Sequence, residues 1–515
     1  MAYKTFAAID VGSYELAMKV FEISSKNGIR EIDYVRHRIE LGTDSYLKGK
    51  LTNERMDELC RILREYTEIM KSYRVEDYKA YGTSAIRETQ NSLILLDQIH
   101  ARTGIRIEVL SNSEQRFLDY KSVASKGLAF QKVIEKGTVF IDIGGGSVQI
   151  SLFDKDSLVT TQNIRPGVLR MREELGRLSY RTYQLEELVD ELIGDSIRSF
   201  RDNFAGNREI KNMILVDDYI SLVLQKGIHE SGKKGQIDAR VFLDFVGDLK
   251  QKKAQEIASI LGIPEENTSL VYLSALMLRN MIKTLGVEMI WAPGVCLCDG
   301  MAYEYAEKNR LLSVTHNFEQ DILACAWDIN KRYQCDEKKA QERAQIALNL
   351  FDHMKKAHGL SKRDRLLLQL AAILCETGNY ISLTSVGESS YNIVMATEVI
   401  GLSHLEREIV ANVVKYARMP FEYYETLGRR TTLDKESYLK IAKLTALLRL
   451  ANAINISNKQ KFECVKVACK DDTVTITVET NADMTLELGF FEQNASFFEE
   501  VYNMKPMIRQ KKSNI

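Results

Sequence analysis

The stretch Val139-Phe140-Ile141-Asp142-Ile143-Gly144-Gly145-Gly146-Ser147-Val148-Gln149-Ile150 decides how the rest of this chain is read. Val139 to Ile143 is a short apolar strand, Gly144 to Ser147 breaks it, and Gln149 to Phe153 is strand-like again. A glycine-rich turn between two strands leaves backbone N–H groups pointing outward, and such a nest binds phosphate oxygens without side-chain charge. Glycine admits both a close approach and a positive φ. The same pattern stands near the N-terminus, with apolar Phe6 to Ile9, the break Asp10-Val11-Gly12-Ser13, and then Leu16 to Ile23. Two such hairpins about 130 residues apart point to a duplicated α/β domain rather than a solenoid.

Between the hairpins the pattern alternates. Asn53 to Tyr73 reads as an amphipathic helix, Lys79 to Tyr81 as a strand, and Thr83 to Arg102 as a loop entering a helix. Arg106 to Leu110 reads as a strand and Glu114 to Ser125 as a helix, so a parallel or mixed sheet with helices on its faces is expected. From Ser313 onward the apolar spacing becomes 3.6 residues, over Phe318–Tyr333, Glu337–His358, Arg363–Cys375, Tyr391–Ile400, His404–Ala417 and Lys435–Ile454. Near Lys461 the period falls to two. Phe462–Ala468 and Thr473–Glu479 read as strands around a Lys470-Asp471-Asp472 turn, with Met484–Leu488 as a third and Arg509–Ile515 as a frayed end. The domains read in this way are 1–125, 126–312, 313–458 and 459–515.

Bulk properties narrow the function classes. The 515 residues are 45% hydrophobic and 27% charged, an ordinary globular composition. A net charge of −1 offers no global field for nucleic acid or an anionic membrane, so affinity for a polyanion must be local. No apolar run is long enough to span a bilayer, and the first residues carry no signal-peptide core. Eight scattered cysteines fit a reducing compartment, so a cytoplasmic protein is expected. Cys296 and Cys298 stand too close for a zinc knuckle and read as buried thiols. Gly227 to Lys234 nearly spells a P-loop, but Lys234 occupies the place of the magnesium-holding hydroxyl, and a basic surface loop is the better reading.

A third element joins the hairpins. In Tyr81-Gly82-Thr83-Ser84-Ala85-Ile86-Arg87, Thr83 and Ser84 stand where a helix begins, and Arg87 offers a fork of charged donors. Two facing hairpins, each with an aspartate before its glycines, resemble the actin/hexokinase-like (ribonuclease H-like) folds that grip a nucleotide's phosphates. On this reading Asp10, Gly12, Ser13, Thr83, Ser84, Arg87, Gly144, Gly145, Gly146 and Ser147 bind phosphate, and Asp142 and Asp10 hold Mg2+.

The strings FAAIDVGS, YGTSAIRETQN, RIEVLSNSEQRFL and VFIDIGGGSVQI, in this order and spacing, resemble the exopolyphosphatase/guanosine pentaphosphate phosphohydrolase (Ppx/GppA) family. The likeness continues weakly through Leu297-Cys298-Asp299-Gly300 and into a helical region resembling the family's HD-like domain, then a small α+β tail. It implies two actin-like lobes, magnesium dependence, often a homodimer, and removal of terminal phosphate from polyphosphate or guanosine pentaphosphate; guanosine tetraphosphate and nucleotides are further candidate ligands.

Departures from the family pattern bear on catalysis. The resemblance places the water-activating glutamate at Gln115 and a second glutamate at Gln149. Glutamine can hydrogen-bond a water but cannot take its proton, and a lost general base typically costs about 10²–10⁴-fold. Glu114 is a candidate substitute, although it lies about 100° around the helix from Gln115. Tyr14 replaces an asparagine, and Leu215-Val216-Asp217-Asp218-Tyr219 stands where a small-residue phosphate loop belongs. In the helical region Cys375, Glu376, Gly387–Ser390, Lys415–Arg418 and Asn452 replace the metal ligands of an HD site, which leaves a scaffold or dimerisation role. Two readings stand: a magnesium-dependent phosphoanhydride hydrolase, or a catalytically impaired sensor of polyphosphate, alarmone or nucleotide.

Overall fold

A computed structural model describes residues 3–178, 185–217, 219–226, 235–250, 252–312, 316–427, 433–457, 461 and 464–512. The chain forms two compact units, Met1–Asn317 and Phe318–Ile515.

The first unit holds two sheets of the same plan. Strands β1 (Lys4–Val11), β2 (Glu15–Ser24) and β3 (Gly28–Arg38) form an antiparallel meander, and β4 (Asp77–Gly82) and β5 (Glu108–Val109) extend it in parallel, in the order β3-β2-β1-β4-β5. In the second sheet β6 (Thr138–Ile143), β7 (Val148–Asp154) and β8 (Ser157–Ile164) form the meander. β9 (Asn212–Asp217), β10 (Gln236–Asp238) and β11 (Met289–Trp291) complete the order β10-β11-β9-β6-β7-β8. Every residue of β6 is buried, the polar Thr138 and Asp142 included, as befits a central strand covered on both faces. The outer strands β3 and β8 are absent from the sequence reading, because β3 in particular alternates charge along a half-exposed edge. Of the expected strand Arg106–Leu110 only Glu108 and Val109 pair; the Arg106 amide donates instead to Tyr78 Oη.

Two helices set the floor of the first unit. Asn112–Ala124 begins at a capping box, in which Ser111 Oγ accepts from the Glu114 amide and the Glu114 carboxylate accepts from the Ser111 amide. Leu297–Lys308, numbered with the second lobe by sequence position, returns to the first sheet, where Leu297, Met301 and Ala302 pack with Phe6, Ala8, Phe21 and Leu118. A Cβ on Gly300 would lie 2.0 Å from Leu118 O, so the two helices meet at backbone distance.

The second unit is helical over Phe318–Arg332, Glu337–His353, Lys362–Leu374, Val386–Ala396, His404–Tyr416 and Lys435–Ile454. It ends in a three-stranded sheet, β12 (Cys464–Lys470), β13 (Thr473–Glu479) and β14 (Lys505–Lys511), of which β12 and β13 match the expected hairpin around Asp471 and Asp472. The expected third strand Met484–Leu488 lies at the start of the helix Thr485–Tyr502, opened by Asp483 Oδ1 accepting from the Thr485 amide. Its alternation in Met484-Thr-Leu-Glu-Leu is the first turn of a helix whose Phe491 and Phe498 are buried further along. Of the tail read as frayed, Arg509–Lys511 belong to β14, paired in parallel with β13, and Lys511 meets Glu479 at 3.0 Å, while residues 513–515 lie outside the described residues. Phe462, like the loop 227–234 and Asp218, lies outside the described residues.

Candidate functional site

The two Asp-x-Gly hairpins face each other across one cleft in the first unit. Asp10, Gly12 and Ser13 line it from the β1–β2 turn, and Gly144, Gly145, Gly146 and Ser147 from the β6–β7 turn. Thr83 and Ser84 join from the end of β4, and Gln115, Asp142 and Gln149 complete the wall. Every residue of the sequence-derived site except Arg87 and Glu114 therefore lines this cleft. Its enclosed part amounts to about 50 Å³, which is room for a few waters, the scale of one phosphoryl group.

The hairpins approach to contact through hydroxyls and bare backbone. Ser13 Oγ lies 2.9 Å from Ser84 Oγ, and Tyr46 Oη lies 2.8 Å from the first and 2.5 Å from the second. A Cβ on Gly145 would stand 3.0 Å from Ser13 Cβ, and one on Gly146 would stand 2.5 Å from Tyr46 Oη. None of Gly12, Gly144, Gly145 and Gly146 has a positive φ, so these glycines serve close approach rather than a left-handed turn. Gly12 N closes its own turn on Glu15 O, and Gly144 N on Ser147 O. The amides of Ser13, Gly145, Gly146 and Ser147 donate to no backbone carbonyl among the described residues. The carbonyls of Gly144 and Gly145 accept from Val168, Leu169 and Arg170 at the start of the helix Val168–Arg177, which anchors the turn from behind.

The third element behaves differently from its sequence reading. Thr83 occupies the N-cap position of the short helix Ser84–Glu88 but makes no side-chain cap; its hydroxyl donates to Val11 O at 3.4 Å. The Arg87 guanidinium donates to Leu110 O and to Asn112 Oδ1, at the entry to the helix that carries Gln115.

That helix supplies the most informative side chains. The Glu114 carboxylate is engaged by the Ser111 amide and hydroxyl, at 3.0 and 2.7 Å, and does not line the cleft. Gln115 Oε1 is buried with no hydrogen-bond partner among the described residues. Asp119, one turn further on and only 3% exposed, also lines the cleft, and sequence reading missed it. The available signal was its i+4 spacing from Gln115, which places both on one helical face.

Arg116, wholly buried, points to the second sheet. Its Nε donates to Gln149 Oε1 at 3.0 Å, and another guanidinium nitrogen donates to Thr161 Oγ1. Gln149 sits directly opposite Asp142 across β6 and β7. With its oxygen accepting from Arg116, the Gln149 NH2 is the end left to face a ligand, a donor where a glutamate would be an acceptor. Val216, Cys296 and Leu297 close the far side. Tyr14 does not line this cleft; it is buried in the core of the second lobe, with its hydroxyl on Asn267 Oδ1, and burial raises its pKa to about 12.

The sequence profile of the Ppx/GppA phosphatase family matches residues 20–309, and that of the family's domain III matches residues 324–495. The chain belongs to the Ppx/GppA phosphatase family. Among Ppx/GppA relatives, the guanosine-5'-triphosphate,3'-diphosphate pyrophosphatase of Photobacterium profundum is 21% identical over 463 residues, covering 87% of this chain and 86% of the relative. The protein of the same description from Vibrio vulnificus is 22% identical over 491 residues, covering 92% of each. The crystal structure of the Aquifex aeolicus Ppx/GppA family member superposes with a TM-score of 0.50 at 16% identity, over 61% of this chain and 100% of that one. An exopolyphosphatase from Cytophaga hutchinsonii gives a TM-score of 0.50 at 18% identity, with coverage of 61% and 100%. These likenesses establish the actin-like fold of the first unit. Within that fold, this Ppx/GppA chain turns three aspartates, 10, 119 and 142, toward its cleft, together with two glutamines. Among the described residues no helix is long and apolar enough to cross a membrane.

Proposed function

We propose that the cleft binds the terminal phosphates of polyphosphate or of a guanosine penta- or tetraphosphate and hydrolyses the last phosphoanhydride bond. The observation that carries this reading is the convergence of both glycine turns, with backbone amides not spent on carbonyls, onto one phosphoryl-sized space that Asp119 also lines. Gln115 Oε1 accepts a hydrogen bond from the attacking water and orients it. Asp119 takes the water's proton as its oxygen bonds to the terminal phosphorus, and the shortened chain leaves on the bridging oxygen.

Magnesium fits this donor set in one form only. Among the described residues no three metal-ligating side chains are grouped closely enough to hold an ion. Asp10 and Asp142 together with phosphate oxygens and water match the way Mg2+ is bound alongside a phosphorylated substrate. When bound, the ion would neutralise charge on the phosphates; the two aspartates would hold it, and Gln149 would donate beside them.

A second reading, a sensor that binds without turnover, is favoured by Gln115, which cannot take a proton, and by the engagement of Glu114 in its capping box. A cytoplasmic location and a homodimer belong to either reading. The experiment is calorimetric binding of polyphosphate, guanosine pentaphosphate and ATP, run in parallel with phosphate release in Mg2+. Release supports the hydrolase, binding alone supports the sensor, and absence of binding to all three ends both. Gln115→Glu is expected to speed release under the first reading and to create it under the second.

A further inference from the structure

The second unit contains a cavity of about 370 Å³ that the phosphohydrolase reading does not use. Its polar lining consists of Arg418, Arg449, Asn452, Gln493 and Asn494, with no aspartate or glutamate, and Phe490 stands at 38% exposure beside them.

Three observations say what it lacks. Asn452 is 91% buried, and its Nδ2 has no hydrogen-bond partner among the described residues, while its Oδ1 receives a weak contact from Cys375 Sγ at 3.9 Å. A buried donor left unmade costs stability unless something accepts from it. Arg449 donates to the carbonyls of Tyr416 and Met419, at 2.8 and 2.6 Å, and has no carboxylate partner among the described residues. Burial alone lowers its hold on its proton, the mark of a guanidinium without a counter-charge. Arg418 pairs with Glu376, but that single carboxylate also serves Lys339 at 3.1 Å and Arg343 at 3.2 Å, so positive charge is in excess behind the cavity wall.

We propose that this cavity is a second anion site, accepting a phosphorylated small molecule whose phosphate oxygen takes the Asn452 Nδ2 hydrogen bond and whose charge lies against Arg449 and Arg418. The donors present match the acceptor oxygens of a phosphate, and no group in the lining would repel one. The ligand is either free phosphate or the phosphate of a nucleotide. Phe490 supplies a face on which a base can stack.

The test uses the full chain and does not depend on the interlobe cleft. Binding of inorganic phosphate, pyrophosphate and GMP is measured by calorimetry, with melting temperature followed in parallel. Asn452→Leu is expected to leave the ligand-free melting temperature unchanged or higher, because the orphaned donor is gone, and to remove one binding equivalent. Asn452→Asp, nearly isosteric, is expected to weaken that equivalent at least about tenfold by placing a negative charge on the phosphate. Gly146→Ala, in the interlobe cleft, should leave this equivalent intact, so failure of the cleft reading and failure of this one are separable. Preference for GMP over inorganic phosphate identifies the nucleotide source, and its absence the free anion. The proposal is overturned if both Asn452 variants keep every binding equivalent of the wild type, or if the wild type binds none of the three probes at a site insensitive to Gly146→Ala.

Discussion

Arg116 donates from Nε to Gln149 Oε1 at 3.0 Å, with both side chains buried between the helix Asn112–Ala124 and strand β7. A permanent cation thus sits beneath the position where the family resemblance expects a carboxylate. Gln149→Glu should convert this contact into a buried ion pair and keep the fold, with a melting temperature close to wild type. The same change in an Arg116→Leu background leaves the new charge without that partner and should cost about 3–5 kcal/mol. Denaturant unfolding of the four proteins in the cycle measures the coupling.

Gly300 controls where Gln115 and Asp119 stand. Its Cβ would meet Leu118 O at 2.0 Å and Leu118 C at 2.7 Å, backbone atoms that cannot swing aside. Gly300→Ala should push the helix Asn112–Ala124 off its seat at a cost of about 1–3 kcal/mol. Phosphate release should fall by about 10²-fold, because misplacement of order 1 Å is enough. Stopped-time release assays below the melting temperature of the variant separate the two effects.

Glu376 makes the second unit acid-sensitive. Burial raises its pKa, but the charges of Arg343, Arg418 and Lys339 outweigh this and hold it at about 2, against an ordinary 4.5. A depressed folded-state value means that the unfolded chain takes up the proton first. Its contribution is therefore complete above pH 4.5 and is lost as pH falls toward 2. Unfolding of the wild type monitored across that window should show the loss. Glu376→Gln should flatten the pH dependence and lower stability near neutrality by about 3–5 kcal/mol, because three cations lose their partner.

The parts of this molecule legible in the sequence are those set by local geometry. A glycine turn between apolar strands announces itself within a dozen residues, which is why Asp10, Ser13, Asp142 and Gly144 to Ser147 were found and do share one cleft. Asp119 escaped because a polar residue in a helix pattern looks the same whether it faces solvent or a second lobe. Arg116 escaped because its partners, Gln149 and Thr161, lie 33 and 45 residues away in sequence. The charge of Arg87 suggests a phosphate ligand, and nothing in the local sequence shows that its guanidinium also donates to Leu110 O and Asn112 Oδ1, 23 and 25 residues away. At the C-terminal end, Met484–Leu488 misled because five residues do not distinguish a period of two from the first turn of a helix; only the later Phe491 and Phe498 decide it.

Phosphate release from long-chain polyphosphate by wild type and Asp119→Asn, with binding measured on the same preparations, reaches the centre of this account. The prediction is that Asp119→Asn binds polyphosphate as the wild type does and releases phosphate at least about 10²-fold more slowly. Release by Asp119→Asn at the wild-type rate, or a wild type that fails to bind polyphosphate and guanosine pentaphosphate alike, would contradict it.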